Sequence, residues 1–265
     1  MIHTNNSLLT DKERFRNAIR LYAAAPRAGG HSIGTLREKS LHAILKLYYE
    51  PDVSRHELPV GGHIADVVGE DGVIEIQTRS LSALKPKLTD LLCACRVTVV
   101  HPIIAEKRII STDGATGEVL SVRKSPKHGT LYTEMRELYA LRELLPDGNL
   151  TLRLPVLTAD EFRTFGVRTR RRKKQRTAKG EYISDVIPTD IIDEIILSES
   201  HDLAILLPEG LPEEFTARQL AETAGTDPSA ARMAINLLLR AGLLSPTRKI
   251  GRAQAFARSI INKTK

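Results

Sequence analysis

Asp66, Glu75 and Gln77 are the side chains of this 265-residue chain whose types and spacing could do chemistry together. They lie in 61–79, GGHIADVVGEDGVIEIQTR, where two β-branched runs flank the turn cluster Gly69-Glu70-Asp71-Gly72. That pattern predicts a β-hairpin. Side chains alternate faces along a strand, so Glu75 and Gln77 share one. With all four turn residues in the loop, Val68 pairs with Val73 and Asp66 falls opposite Glu75. With Asp71-Gly72 as a two-residue loop, Asp66 falls opposite Gln77 and diagonal to Glu75. Either register puts the three on one face, with Cβ atoms roughly 5–8 Å apart. Two carboxylates that close repel unless a cation sits between them, and hard oxygen ligands suit Mg2+ or Mn2+. An Asp and a Glu on a hairpin, taken alone, also fit a solvated face.

The elements that must position these residues can be read on either side. Thr10-Asp11-Lys12-Glu13 caps a helix to about Ala25, with Phe15, Ile19 and Tyr22 at helical spacing. Thr35 opens a second helix, TLREKSLHAILKLYY, with Leu41, Ile44, Leu45 and Tyr48 as its apolar stripe. Glu38 has capping-box spacing from Thr35 and shares a face with His42. His42 itself reads as a packed or exposed helix residue. HELPV (56–60) is a strand leading into the hairpin. SLSALKPKLTDLL then carries Leu81, Leu84, Leu88 and Leu91 at helical spacing, and RVTVVHPII (96–104) reads as a buried strand.

Helix, three strands, helix, strand, with these polar residues, resembles the PD-(D/E)XK nuclease superfamily over about residues 30–105. The resemblance implies an α/β, restriction-endonuclease-like core: a mixed central sheet flanked by helices. It implies that Asp66 is the motif Asp and Glu75-Ile76-Gln77 the E-x-K tripeptide. Glu38 is then the additional acidic residue of the preceding helix. The implied cofactor is Mg2+ or Mn2+, held by Asp66, Glu75 and Glu38, with Gln77 positioning the attacking water. The departure is Gln77 where the motif has Lys; Arg79, Lys85 or Lys87 could supply the missing cation. VIEIQT, Lys85-Pro86-Lys87-Leu88 and VTVVHPI also resemble an uncharacterised prokaryotic family in which such a core precedes a C-terminal winged helix.

Farther along, KRIIST (107–112) and GEVLSVRKS (117–125) flank Asp113-Gly114, a hairpin signal. A helix is expected over 129–146 and a strand over 150–158. His101, before Pro102, reads as structural. The run 168–179, RTRRRKKQRTAK, carries Arg168, Arg170, Arg171, Arg172, Lys173, Lys174, Arg176 and Lys179. It is too self-repulsive for a core, and reads as a phosphate-binding arm or a solvated loop. From Pro188 the pattern reads as helical: TDIIDEIILSES, then FTARQLAETAG with Thr216 as N-cap and Gly225 as stop. A further helix follows Asp227. The succession resembles a winged helix-turn-helix, with 227–244 as recognition helix and 247–255 as wing. Arg232, Asn236, Arg248, Lys249 and Arg252 are its candidate nucleic-acid contacts. The expected organisation is a nuclease-like domain over 1–187 and a winged-helix domain over 188–265.

Composition bounds the partner. The chain is 42% hydrophobic, enough for a core, and its net charge of +7 with a pI near 9.5 suits a polyanion. With 4% aromatic residues and no Trp, base-stacking platforms are not expected to dominate. Cys93 and Cys95 have neither redox nor zinc spacing, so free buried thiols in a reducing, cytoplasmic setting are expected. No apolar run is long enough for a membrane span. The expected partner is DNA, acted on by a metal-dependent endonuclease or phosphodiesterase. The alternative is a non-catalytic DNA-binding regulator on a decayed core. Oligomeric state is left open, a homodimer included.

Overall fold

Val73–Ile76 and Val97–Val100, each buried at three of four positions, lie side by side and parallel at the centre of a mixed sheet. The computed structural model describes residues 5–25, 39–145, 147–165 and 181–259, with side chains from Thr10 onward. Its elements begin with α1 (Asn5–Ala24), α2 (Ser40–Tyr49), β1 (His56–Val60), β2 (His63–Val68), β3 (Val73–Ile76), α3 (Lys85–Leu92) and β4 (Val97–Val100). Next come β5 (Ile103–Asp113), β6 (Val119–Lys124), α4 (Met135–Ala140), β7 (Leu150–Phe165) and β8 (Tyr182–Leu197). The chain then forms β9 (Glu214–Thr216), α5 (Ala217–Ala224), α6 (Pro228–Arg240), β10 (Leu244–Ile250) and β11 (Ala253–Arg258).

The main sheet runs β1-β2-β3-β4-β7-β5-β6, with β8 also on β7. The β1, β2 and β3 strands form an antiparallel meander; β3–β4, β4–β7 and β5–β7 are parallel. Helices cover both faces, as a sheet with parallel strands requires. On one face α1 and α2 bury Phe15, Ile44, Leu45 and Tyr48 against Val100, Leu157 and Ile191. On the other, α3 and α4 bury Leu88, Leu91, Met135 and Leu138 against Val99 and Leu152. That second core continues into α5 and α6 through Leu220, Ala234 and Leu237. A small sheet, β10-β11-β9, completes the C-terminal part. Among the described residues no helix is long and apolar enough to cross a membrane.

The hairpin adopts the four-residue turn. Val68 pairs with Val73, and the Gly69 N–H donates to the Gly72 carbonyl at 2.8 Å. Gly72 has φ +134°, and a Cβ there would lie 2.2 Å from the Arg96 carbonyl oxygen, so both conformation and space require glycine.

The structure corrects several sequence expectations. The helix expected from Thr35 starts at Ser40; Lys39 is extended, at φ −69° and ψ 145°. Its cap is distant in sequence: Asp185 on β8 accepts the Ser40 N–H at 3.3 Å and also the Ser40 hydroxyl. The strand expected over 96–104 breaks at His101-Pro102 into β4 and β5, since Pro has no N–H for the ladder. Both segments stay on β7 in step, with Val100 opposite Arg153 and Ile103 opposite Val156. The turn expected at Asp113-Gly114 is wider; Asp113 accepts the N–H groups of Ala115 and Thr116 at 2.7 and 2.9 Å. The helix expected over 129–146 shrinks to α4, flanked by turns.

The helix expected over 189–200 is the second half of β8. Leu157 faces Ile191 and Leu154 faces Ile195 along a ladder with β7 that continues to Leu197. IIDEII satisfies helical and strand periods alike, and a long partner strand decides in favour of its β-branched residues. The boundary drawn at 187/188 therefore falls inside a strand. Thr216 and Gln219 form a capping box on α5, Gly225 ends it at φ +61°, and Asp227 caps α6, as their sequence signals indicate. Cys93 and Cys95 are free, but Cys93 is exposed and Cys95 half-buried, because each lies just past α3 at the sheet's rim.

Candidate functional site

The β2–β3 ladder stops at Val67 opposite Ile74, one step short of Asp66 and Glu75. Side chains fill the opening. The Ile76 N–H donates to Asp66 Oδ2 at 2.8 Å, and the Asp66 N–H lies 3.4 Å from Glu75 Oε1. Each carboxylate then meets a cationic or potentially cationic group from a different helix. His42 Nε2, near the start of α2, is 3.3 Å from Asp66 Oδ2. Lys87 Nζ, on α3, donates to Glu75 Oε2 and to the Ile64 carbonyl, both at 2.6 Å. Glu75 is 2% exposed, whereas the side chains of His42, Asp66 and Lys87 are each between 21% and 24% exposed. The result is a partly exposed cluster of charged groups where the β2–β3 ladder opens, with the buried Glu75 carboxylate at its base.

Electrostatics separate the two acids. Burial raises the Asp66 pKa, but the His42 hydrogen bond and charge, the Ile76 N–H and Lys87 outweigh it and hold the carboxyl below its usual range. Burial raises Glu75 as well; the Lys87 hydrogen bond opposes this, the Asp66 charge adds to it, and the net lies above the usual range. Carboxylates pushed apart in this way characterise sites that divide roles between two acids, and structural ion pairs can produce the same split.

Of the residues expected from sequence, Asp66 and Glu75 come together. Gln77 is held by its backbone: its N–H donates to the Val100 carbonyl at 2.9 Å, and its carbonyl lies 2.6 Å from His101 Nδ1. His101, 3% exposed, thus fixes the chain where β3 ends. Glu38 lies outside the described residues, as does the whole basic run 168–179. Of the three candidate cations, Lys87 reaches the carboxylates; Lys85 pairs with Glu143, and Arg79 is exposed. His42 reads from sequence as a helix residue with no role at the site, and the structure puts it on Asp66 instead. Lys87 has a sequence signal: it falls between Leu84, Leu88 and Leu91, on the stripe that α3 turns to the sheet.

Two carboxylates supply hard donors suited to Mg2+ or Mn2+. Described partners engage Asp66 through Oδ2 and Glu75 through both oxygens, most closely Oε2, so a cation here would share these carboxylates with His42 and Lys87. Among the described residues no group of three or more His, Cys, Asp or Glu is arranged to hold a metal.

In the C-terminal part Arg232 is exposed on α6, and Asn236 Oδ1 accepts from Arg240 Nε at 3.3 Å. Arg248 Nε is bonded to Glu214 at 2.7 Å across the small sheet. Lys249 faces Gln254 in the β10–β11 ladder, and Arg252 occupies the turn between those strands. Arg232 and Asn236 line an open cleft of about 230 Å³ with Ala217, Ile235, Leu239 and Phe256. The polar face of α6 and the hairpin therefore border one depression, and much of its lining is apolar.

Comparison with known proteins places the carboxylate cluster in a shared segment. A family model described as a domain of unknown function (DUF8091) matches residues 39–198, which run from the cap of α2 to just past the end of β8. An uncharacterized protein of Treponema pallidum (strain Nichols) is 32% identical over 228 residues, covering 85% of this chain and 87% of the relative. No solved structure matches the chain.

Proposed function

The chain belongs to the DUF8091 family, and we propose that the matched segment is a metal-dependent phosphodiesterase of the PD-(D/E)XK type acting on DNA. One observation carries the reading: Lys87 Nζ lies 2.6 Å from Glu75 Oε2, beside Asp66. The positive charge that Gln77 cannot supply is thereby delivered to the same carboxylate from α3. The order α2, β1–β2–β3, α3, β4, with β3 and β4 parallel, supports the restriction-endonuclease-like assignment of the core.

In this reading Asp66 and Glu75 would hold Mg2+ or Mn2+. The cation, when bound, polarises the phosphoryl oxygen and makes water easier to deprotonate. Lys87 holds Glu75 in place and sets positive charge next to the scissile phosphate, where negative charge grows in the transition state. His42 keeps Asp66 ionised and oriented. Gln77, anchored by Val100 and His101, is left the task of orienting water. The run 168–179 supplies phosphate contacts without sequence choice.

A second reading, a non-catalytic DNA-binding regulator, draws on the C-terminal part. The succession β9–α5–α6–β10–β11 supports a winged-helix reading, in which α6 would be the recognition helix and β10–β11 the wing. Plasmid nicking in Mg2+ or Mn2+ separates the two readings. Cleavage by wild type, absent in Asp66→Ala and Glu75→Ala, is expected of the enzyme. A silent wild type that still retards DNA on a gel would leave the regulator.

A further inference from the structure

In the main sheet three strands have an edge without a strand neighbour among the described residues: β1, β8 and β6. Such edges present free N–H and C=O groups and pair with other chains unless blocked. The first two are blocked. The β1 strand contains Pro59 and turns sharply at Glu57, whose φ is +53°. The β8 strand contains Pro188 and the acids Asp185, Asp190 and Asp193.

The β6 strand, VLSVRK, has no proline and no acid. All six residues are exposed, with Val119 at 56%, Leu120 at 53% and Val122 at 56%. Its backbone direction follows from one bond: the Ser125 N–H donates to the Lys107 carbonyl at 2.9 Å. Antiparallel bonding alternates along a strand, so Arg123 and Ser121, opposite Ile109 and Ser111, bond inward to β5. Val122 and Lys124 direct their N–H groups outward. The register shifts between Ser111 and Thr112, which leaves Leu120 without a partner residue on β5 and exposed next to Val119.

The charges at the two ends are opposite. Arg123 and Lys124 close β6, with Lys124 already ion-paired to Glu106 of the same chain at 2.8 Å, so Arg123 is the cation left to the edge; Asp113 and Glu118 lie where β6 begins. The Asp113 carboxyl is held below its usual range by the Thr116 and Ala115 N–H groups and so is ionised at neutral pH. A strand with one basic and one acidic end is complementary to its own copy reversed. We infer that β6 pairs antiparallel with β6 of a second copy across a two-fold axis, extending the sheet through a dimer. Val119, Leu120 and Val122 are covered in that arrangement, and each copy's Arg123 approaches the other's Glu118 while Lys124 keeps its own Glu106. The pairing involves no residue of the carboxylate cluster, so it stands or falls apart from the proposed enzymatic activity.

Sedimentation of the full chain from micromolar to submillimolar concentration tests this. A concentration-dependent dimer is expected. Val122→Pro removes an outward N–H and no bond to β5, and should weaken dimerisation about tenfold or more while circular dichroism and melting stay close to wild type. Where that variant melts early, charge reversal replaces it. Arg123→Glu and Glu118→Arg should each weaken the dimer, and the double variant should recover most of the affinity. A monomer throughout the range overturns the proposal, including one whose β6 edge captures a strand of some other protein. A dimer indifferent to folded Val122→Pro, or a double variant no better than the singles, overturns it equally.

Discussion

Lys87 Nζ on α3 and Glu75 Oε2 on β3 are 2.6 Å apart, and Glu75 is 2% exposed. Twelve residues separate them in the chain. A buried carboxylate needs a partner, and here it comes from the helix that follows the strand, not from position 77. For the proposed enzyme this makes residues 77 and 87 alternative sources of one charge. Lys87→Met should lower plasmid cleavage by roughly a hundredfold. Adding Gln77→Lys to Lys87→Met should restore part of that activity, whereas Gln77→Lys alone should change activity modestly in either direction and raise the metal requirement. Initial rates across a Mn2+ titration give the comparison. A double variant as poor as Lys87→Met would mean that the two positions do not serve one site.

Asp66 and Glu75 should respond to pH with opposite signs. The Asp66 folded-state pKa is lowered, so its ionisation stabilises the fold above the unfolded value of about 3.9, and this is lost as pH falls through the folded value. Glu75 is raised, so its neutral form is the favoured one; that contribution is present below about 4.3 and lost as pH rises through the folded value. Urea unfolding from acid to neutral pH should show Asp66→Asn losing ground to wild type as pH rises and Glu75→Gln gaining it. Parallel curves for the two variants would contradict the assigned environments.

Asp185 ties β8 to the first turn of α2 through Ser40, two residues before His42. Asp185→Ala should cost about 1 kcal/mol, the usual effect of removing an N-cap carboxylate, read as a lower urea midpoint at unchanged slope. Because His42 rides on the same turn, the variant should also weaken the hold of His42 on Asp66. In the proposed enzyme that appears as a rise in the acid limb of the pH–rate profile.

The basic run 168–179 should make DNA affinity fall steeply with salt. Replacing Arg170, Arg171, Arg172, Lys173 and Lys174 by Ala should flatten the log–log slope by about 0.9 for each phosphate no longer neutralised. Fluorescence anisotropy at several salt concentrations measures the slope; an unchanged slope would assign the run to a solvated loop.

Local rules sufficed wherever neighbours in sequence are neighbours in space. The pattern HIADVV-GEDG-VIEI determined a hairpin with Val68 opposite Val73, and that register sets Asp66 and Glu75 beside each other just past the last ladder pair, because strand pairing acts over a few residues. Thr216 with Gln219, Gly225 and Asp227 marked the ends of α5 and α6 for the same reason: caps act within a turn. Tertiary structure decided what depends on distant partners. IIDEII became strand because β7 lay alongside it. Residue 40 became a helix start because Asp185 reached it from β8. The carboxylate cluster follows the same division. Its carboxylates could be read from one hairpin, but His42 and Lys87 arrive from helices on opposite faces of the sheet. The selection of Lys87 over Arg79 and Lys85 rests on packing geometry, which no local spacing encodes.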